Sequence, residues 1–285
     1  MAIVNFGSIN IDHVYRVPYF VQAGETLSAT DYSKGLGGKG LNQSVALQRA
    51  GADVTHVGCI GADDVWLREQ LRDLKINAIE IDVPTGHALI QVNPDGENCI
   101  VLFAGANHSL SVEMIDAQLA RDDVQWVLLQ NETNLVEEII AKSHAAGKKI
   151  AFNPAPCHAG LARLPFDKID TLVVNEIEAV QLTGAADLAA ALTALRSRGC
   201  NVVLTMGGDG VRYLGAAGEF FVPAQKVEVV DTTAAGDTFV GYYLAGLMQG
   251  LTVPQALQQA SKAAAITVSR LGASSAIPFL NEIKD

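Results

Sequence analysis

Residues 231–241 read Asp231-Thr-Thr-Ala-Ala-Gly236-Asp237-Thr-Phe-Val-Gly241. A short apolar stretch, 226–230, leads into them, and an apolar run continues to Gly250. The pattern predicts a strand, a turn of small residues and a helix. Small side chains let successive N–H groups point one way at a helix N-terminus, which makes the turn a ready anion hole. Asp237 falls in the first turn of that helix. Alone, such a carboxylate equally well complements the helix dipole. Beside an anion hole it can also accept a hydroxyl proton while the amides hold developing phosphoryl charge.

The rest of the chain predicts the fold that would carry such a turn. Short apolar runs at 2–6, 54–60, 125–130, 149–153, 171–175 and 202–206 read as strands, several apolar on both faces. Helical spacing lies between them: Leu67, Leu71 and Leu74; Leu135 and Ile139, with Gly147 as a stop; Leu188, Leu192 and Leu195, with Gly199 as a stop. This alternation predicts an α/β protein in three layers, α/β/α, around a mostly parallel sheet. Two stretches break it. Residues 13–34 are β-rich without helical period. Residues 86–105 read as a hairpin turning at Pro94-Asp95-Gly96. Ile90, Val92, Ile100 and Leu102 fall on one set of hairpin faces, and Leu89, Val101 and Phe103 on the other. Both faces need cover, so the two stretches are expected to form a small β lid, with the substrate cleft on one side and a second subunit on the other.

Composition narrows the function. The 285 residues suit one domain spanning 1–285, with the lid segments inserted. Twenty Lys and Arg against 31 Asp and Glu give a net charge of −11, which argues against nucleic-acid and anionic-membrane binding. Cys59, Cys99, Cys157 and Cys200 are scattered, and the sequence shows neither a signal-peptide pattern nor a membrane-length apolar run; the expectation is a cytoplasmic protein.

Gly35-Leu-Gly37-Gly38-Lys39-Gly40 matches the dinucleotide pattern GxGxxG, but in the wrong context. It follows the lid segment, and Asp53 comes only 13 residues after Gly40. Gly40 after Lys39 also excludes a Walker A loop. A tight turn into a helix at 41–50 explains the glycines; Lys39 and Asn42 add a cation and an amide that can grip hydroxyl oxygens.

Ala-Ala-Gly-Asp-Thr-Phe, with Gly37-Gly38-Lys39-Gly40-Leu41-Asn42 upstream, resembles the two signatures of the ribokinase (phosphofructokinase-B type) family of sugar kinases. Gly7-Ser-Ile-Asn10-Ile-Asp12-His13, Gly24-Glu25-Thr26, Ala104-Gly-Ala-Asn107, Asn153-Pro-Ala-Pro156 and Thr205-Met-Gly-Gly-Asp-Gly210 continue the likeness in the family's order over essentially the whole chain.

The resemblance implies a ribokinase-like fold and transfer of the γ-phosphate of ATP to a small sugar. D-ribose going to D-ribose 5-phosphate leads; deoxyribose, another sugar or a nucleoside are the rival acceptors. It makes Asp237 the base and Ala234, Ala235, Gly236 and Asp237 the anion hole. Asn10, Asp12, Gly38, Lys39, Asn42 and Glu132 match sugar-binding positions. Thr205, Gly207, Gly208, Asp209, Gly210, Gly236 and Asn175 fall where nucleotide is held. Asn175 and Glu178 match an Asn-x-x-Glu element that serves Mg²⁺ through water; the same pair also reads as a helix capping box. Potassium would sit by the Asp231 carboxylate and the carbonyls of Thr233, Thr267, Arg270 and Gly272. Three positions depart from the pattern: Ser261 replaces a His near adenine, Ala276 a Ser in the cation loop, and Ala23 a Pro. The expected partners are a sugar, ATP and a second copy of the chain through the lid. A non-catalytic sugar or nucleotide sensor and a dinucleotide oxidoreductase are the alternatives from other classes.

Overall fold

Residues Ala2–Phe6 form strand β1, and all five are buried. Ile3 enters one apolar cluster. Ala2, Val4 and Phe6 enter the other. A strand covered on both faces needs apolar residues at nearly every position, and β1 supplies them at all but Asn5, which is buried as an amide. The computed structural model describes residues 1–283.

After β1 come β2 (Asn10–Arg16), β3 (Asp31–Gly37), α1 (Lys39–Arg49), β4 (Val54–Val57), β5 (Cys59–Gly61), α2 (Val65–Asp73), β6 (Ile79–Ile81), β7 (Gly86–Val92) and β8 (Asn98–Phe103). The remainder holds α3 (Val112–Leu119), β9 (Val124–Gln130), α4 (Val136–Ala145), β10 (Lys149–Asn153), β11 (Thr171–Asn175), α5 (Glu176–Thr183), α6 (Leu188–Arg196), β12 (Asn201–Thr205), β13 (Val211–Gly215), β14 (Gly218–Val222), α7 (Ala235–Met248) and α8 (Val253–Val268).

The main sheet runs β14-β13-β12-β11-β10-β9-β1-β4. It is parallel from β12 to β4, with β13 and β14 antiparallel at one edge. From β1 the chain first builds outward to β4, and later returns to the other side of β1 with β9. The β1–β9 boundary is therefore a switch point, and ligands of open α/β sheets bind beyond the strand ends there. Helices α1, α7 and α8 pack together on one face, where Leu41, Val45, Tyr242, Tyr243 and Leu257 are fully or almost fully buried. The other face holds Ile115, Ile139, Leu182 and Leu195 from α3–α6. This is the expected three-layer architecture. Among the described residues no helix is long and apolar enough to cross a membrane.

A second sheet runs β3-β2-β7-β8, with β2 parallel to β7 and the other pairs antiparallel. Its strands β7 and β8 fall within 86–105, whereas β2 and β3 reach beyond 13–34 at both ends and the segment 17–30 between them is loop, not strand. At the β7–β8 turn, Gly96 has φ +79° and Asn93 Oδ1 accepts from the N–H groups of Asp95 and Glu97.

Two sequence expectations need correction. The run 54–60 is two strands, not one. At Gly58 a Cβ would come within 2.5 Å of the Gly7 carbonyl oxygen, so the chain can pass β1 only as glycine, and it leaves the main sheet there to pair β5 with β6. Residues 226–230 form no strand. They have no neighbouring strand to bond, and Val227, Val229 and Val230 are exposed; only near the end does the segment anchor, with the N–H groups of Val230 and Asp231 both on the Val268 carbonyl.

The approach of α1 to β1 also depends on glycine. A Cβ on Gly40 would lie 2.3 Å from the Ser8 nitrogen and 2.4 Å from the Gly7 carbonyl carbon. Gly38, the residue before α1, has φ +94°. By contrast, a Cβ on Gly35 meets nothing within 4 Å. Gly40→Ala should therefore destabilise by roughly 3 kcal/mol, because backbone rather than side chain must move. Gly35→Ala should stay within about 0.5 kcal/mol of wild type. Urea unfolding of the two variants side by side checks the difference.

Candidate active site

Beyond the C-terminal ends of β1 and β9 lies a cavity of about 420 Å³. Its floor comes from the main sheet and its helix starts: Gly38, Lys39, Asn42, Glu132, Asn153, Asn175, Glu178, Thr205, Thr232, Thr233, Ala234, Gly236 and Asp237 all line it. The smaller sheet adds Asn10 and Asp12 from β2, Ala88 and Ile90 from β7, and Asn98, Ile100 and Leu102 from β8. Alternate residues of β7 and β8 thus face the cavity, as strand period requires.

The turn 231–237 is built for close approach. Ala234 is left-handed, with φ +61°, and sets the N-terminus of α7. The first N–H groups of a helix have no intrahelical acceptor; here Gly236 and Asp237 border the cavity, while the Ala235 N–H turns back to the Thr232 carbonyl at 3.3 Å. A Cβ on Gly236 would meet nothing within 4 Å. Asp237 follows, 8% exposed, held by two amides: Asn42 donates to Oδ2 at 3.1 Å and Gln43 to Oδ1 at 2.9 Å. Asn42 Oδ1 is buried and has no acceptor role filled by protein.

Four carboxylates, Asp12, Glu132, Glu178 and Asp237, share this space with one ammonium, Lys39. The Glu132 side chain accepts from Ser8 Oγ and from the Lys39 N–H at 3.0 Å. Burial pushes Glu132 above its ordinary value, against the pull of Lys39. Asp12 lies against Gly37, where a Cβ would come within 2.2 Å of its carboxyl. Burial, then the charges of Glu132 and Asp237, raise Asp12 to about 6. Lys39 is held above its usual value, foremost by Asp237. Asn10 is oriented from behind: Asn107, 2% exposed, donates to Asn10 Oδ1 at 2.7 Å and accepts from the Ile9 N–H at 2.8 Å.

Asn175 and Glu178 realise the capping box at the start of α5, with reciprocal bonds of 2.8 and 2.9 Å, and both still border the cavity. Among the described residues no cluster of three or more His, Cys, Asp or Glu could hold a metal ion. One carboxylate and one amide beside a phosphate-sized space fit a magnesium ion that keeps its waters and takes phosphate oxygens as its other ligands. The Asp231 carboxylate ties two loops together, accepting from Thr233 N–H at 2.9 Å and Gly272 N–H at 3.0 Å. Burial alone would raise Asp231; those donors outweigh it and hold the group below its ordinary value.

Not every expected residue reaches the cavity. Ala235, Gly207, Gly208, Asp209, Gly210, Ser261, Asp231, Thr267, Arg270 and Gly272 lie outside its lining. Gly207–Asp209 form an exposed turn between β12 and β13, next to Thr205, and Ser261 is half-buried in α8. Sequence reasoning missed Ser8, Gln43 and Gln130, polar residues that the structure buries. Their only signal is that a buried Gln or Asn demands a partner.

Residues 2–280 match the pfkB family of carbohydrate kinases. The chain is 37% identical to the ribokinase of Haemophilus influenzae, over 97% of this chain and 95% of that one. Its backbone superposes on the solved ribokinase of Thermotoga maritima with a TM-score of 0.90 at 35% identity, covering 99% and 97% of the two chains. It is also similar to Arabidopsis thaliana ribokinase, solved in complex with ribose and ATP, with a TM-score of 0.85 at 26% identity, covering 99% and 96%. The chain belongs to the pfkB family of carbohydrate kinases, and its chemistry is that of a phosphotransferase with an alcohol acceptor.

The carboxylate crowding has a measurable cost. Because Asp12 has a raised value in the folded state, its contribution to stability is fully present below pH 3.8 and lost as pH rises to about 6. Asp12→Asn should therefore gain stability relative to wild type by about 2–3 kcal/mol between pH 4 and pH 8 in ligand-free protein. Urea midpoints of both proteins across that range test it. A constant difference would contradict the assignment.

Proposed function

We propose that this chain transfers the γ-phosphate of ATP to the primary hydroxyl of D-ribose, giving D-ribose 5-phosphate and ADP. The observation that carries the reading is the Asp237 carboxylate, held by two amides at the anion-hole turn, in one cavity with Asp12, Lys39, Asn42 and Glu132. Asn10, Asp12, Gly38, Lys39, Asn42 and Glu132 bind the sugar: the carboxylates accept from hydroxyls, Lys39 donates and the amides do both. Asp237 takes the proton of the attacking hydroxyl as its oxygen bonds to the γ-phosphorus and the bond to the ADP oxygen breaks. The amides of 234–237 stabilise the charge on the transferring group. Thr205, Gly207, Gly208, Asp209 and Gly210 hold the nucleotide, with Ser261 at the adenine end. Magnesium, near Asn175 and Glu178, supplies neutralisation of phosphate charge.

The smaller sheet acts as a lid. Ala88, Ile90, Ile100 and Leu102 present an apolar underside that keeps water from competing with the sugar hydroxyl. The Asp231 carboxylate and the carbonyls of Thr233, Thr267, Arg270 and Gly272 would hold potassium, whose charge would order the anion-hole turn without touching substrate. The four free cysteines suit a reducing cytoplasm.

Asp237→Asn keeps the shape but cannot accept a proton, so kcat should fall by roughly 10²–10⁴-fold while ribose still binds. Coupled ADP release measured with a panel of pentoses, hexoses and nucleosides, in potassium and in sodium buffers, tests base, acceptor and cation together. Retention of a tenth of wild-type kcat would remove Asp237 as the base.

The lid's outer face supports a homodimer. Val101 is 64% exposed, Phe103 49% and Leu89 39%, all on the side away from the cavity, where Tyr32 adds another 49% exposed ring. A patch of this kind is what a second copy covers. Val101→Asp with Phe103→Asp should convert a sedimenting dimer to monomer at micromolar concentration. A wild-type monomer with full activity would contradict the assembly.

A further inference from the structure

From Asp237 a chain of buried amides runs back behind the cavity wall, touching the cavity again only at Asn153. Gln43 on α1 is fully buried. Its Nε2 donates to Asp237 Oδ1 at 2.9 Å and to Asn153 Oδ1 at 3.3 Å. Its Oε1 accepts from Gln130 Nε2 at 2.6 Å, and the same Gln130 nitrogen donates to Asn5 Oδ1 at 3.0 Å. Asn5 Nδ2 in turn donates to the Gly40 carbonyl and to Ser44 Oγ, each at 2.8 Å. Asn153 Nδ2 is fixed on the Val173 carbonyl at 3.0 Å. Four strand ends and the first turns of α1 and α7 are tied through these side chains.

The orientation of the Gln43 amide is determined by its neighbours. A carboxylate can only accept, so the group facing Asp237 must be the NH₂. The opposite oxygen then needs a donor, and Gln130 supplies one. Reversing the amide would set oxygen against carboxylate and NH₂ against NH₂. The two Asp237 oxygens are therefore not equivalent. Oδ1 faces inward to Gln43, which does not border the cavity; Oδ2 lies beside Asn42, which does.

Resting on the kinase reading above, we propose that Gln43 is a positioning residue that pins Asp237 Oδ1 and so assigns Oδ2 as the oxygen that receives the sugar proton. Rotation about the Asp237 side chain would exchange the two oxygens or swing both away from the hydroxyl. The Gln43 bond opposes that rotation, and Gln130 keeps Gln43 from turning. The charged groups around this point are Asp12 from β2, Lys39 from α1, Glu132 following β9 and Glu178 from α5, and all belong to the sugar and phosphate cavity.

Two variants test the assignment in the full-length protein with saturating ribose and ATP. Gln43→Met keeps the volume and removes the donor; kcat should fall roughly 10–100-fold, the worth of one hydrogen bond to a charged group, with KM for ribose within about twofold of wild type. Gln43→Glu keeps the shape. Ionised, it repels Asp237; protonated, its O–H donates to Asp237 while its other oxygen still accepts from Gln130. Its kcat relative to wild type should therefore rise at least tenfold as pH falls from 8.5 to 6, as expected when the lost bond is restored. A pH-independent ratio, or a Gln43→Met variant with kcat within twofold of wild type, would overturn the assignment. If Gln43→Met does not fold, the ratio for Gln43→Glu decides alone. Failure of the wild type to turn over any sugar would remove the kinase reading itself, a different outcome from either variant result.

Discussion

The structure depends on how closely α1 approaches the end of β1. Gly7 and Gly40 sit where neither could carry a Cβ: the one on Gly7 would lie 2.6 Å from the Gly40 Cα. With the backbones this near, the Gly40 N–H reaches Ser8 Oγ at 3.1 Å and the Leu41 N–H reaches the Ser8 carbonyl at 2.8 Å. Ser8 then also engages Glu132 from beyond β9. One contact between two glycines thus joins β1, α1 and β9 at the switch point. Asn42 and Gln43 follow within the next turn of α1 and meet Asp237 from α7. A wider spacing would leave the first turns of α1 and α7 without a common polar centre.

Much of this could be read from the chain. Doubly buried strands, leucine spacing and glycine stops give the layers, because burial and periodicity are local in sequence. The site was legible through Asp237, Lys39 and Asn42, whose chemistry stands out against small or apolar neighbours. Other features were not legible. Residues 226–230 have strand-like composition, yet a strand needs a neighbour, and which strand lies alongside is a property of the whole sheet. Gly58 looks like an ordinary break inside 54–60; that it turns the chain out of the sheet depends on β1 passing behind it. The amide chain from Gln43 through Gln130 to Asn5 is made of bonds between residues 87 and 125 positions apart, so no sequence window contains it.

The site also concentrates unfavourable charge in the absence of substrate. Asp12, Glu132 and Asp237 face one ammonium, Lys39, in a space where burial already disfavours ions. The fold offsets part of this with fixed donors: Ser8 Oγ and the Lys39 N–H for Glu132, and two amides for Asp237. Such strain is common where function needs an acceptor that water would otherwise satisfy. The buried His56, held at about 4 by burial and bonded to Ser44 at 2.8 Å, is the contrasting case of a polar residue that stays neutral.

Strand β2 belongs to both halves of the molecule. It begins at Asn10 and Asp12 on the cavity floor and ends at Arg16, paired on one side with β3 and on the other with β7. Side chains alternate along it, so a single-residue insertion or deletion between 10 and 16 would turn Asp12 away from the cavity and invert every side chain beyond it. The loop 18–30, which joins β2 to β3, can by contrast grow or shrink without touching the register. The same strand that brings Asn10 and Asp12 to the cavity is in this way the ruler against which the smaller sheet is aligned.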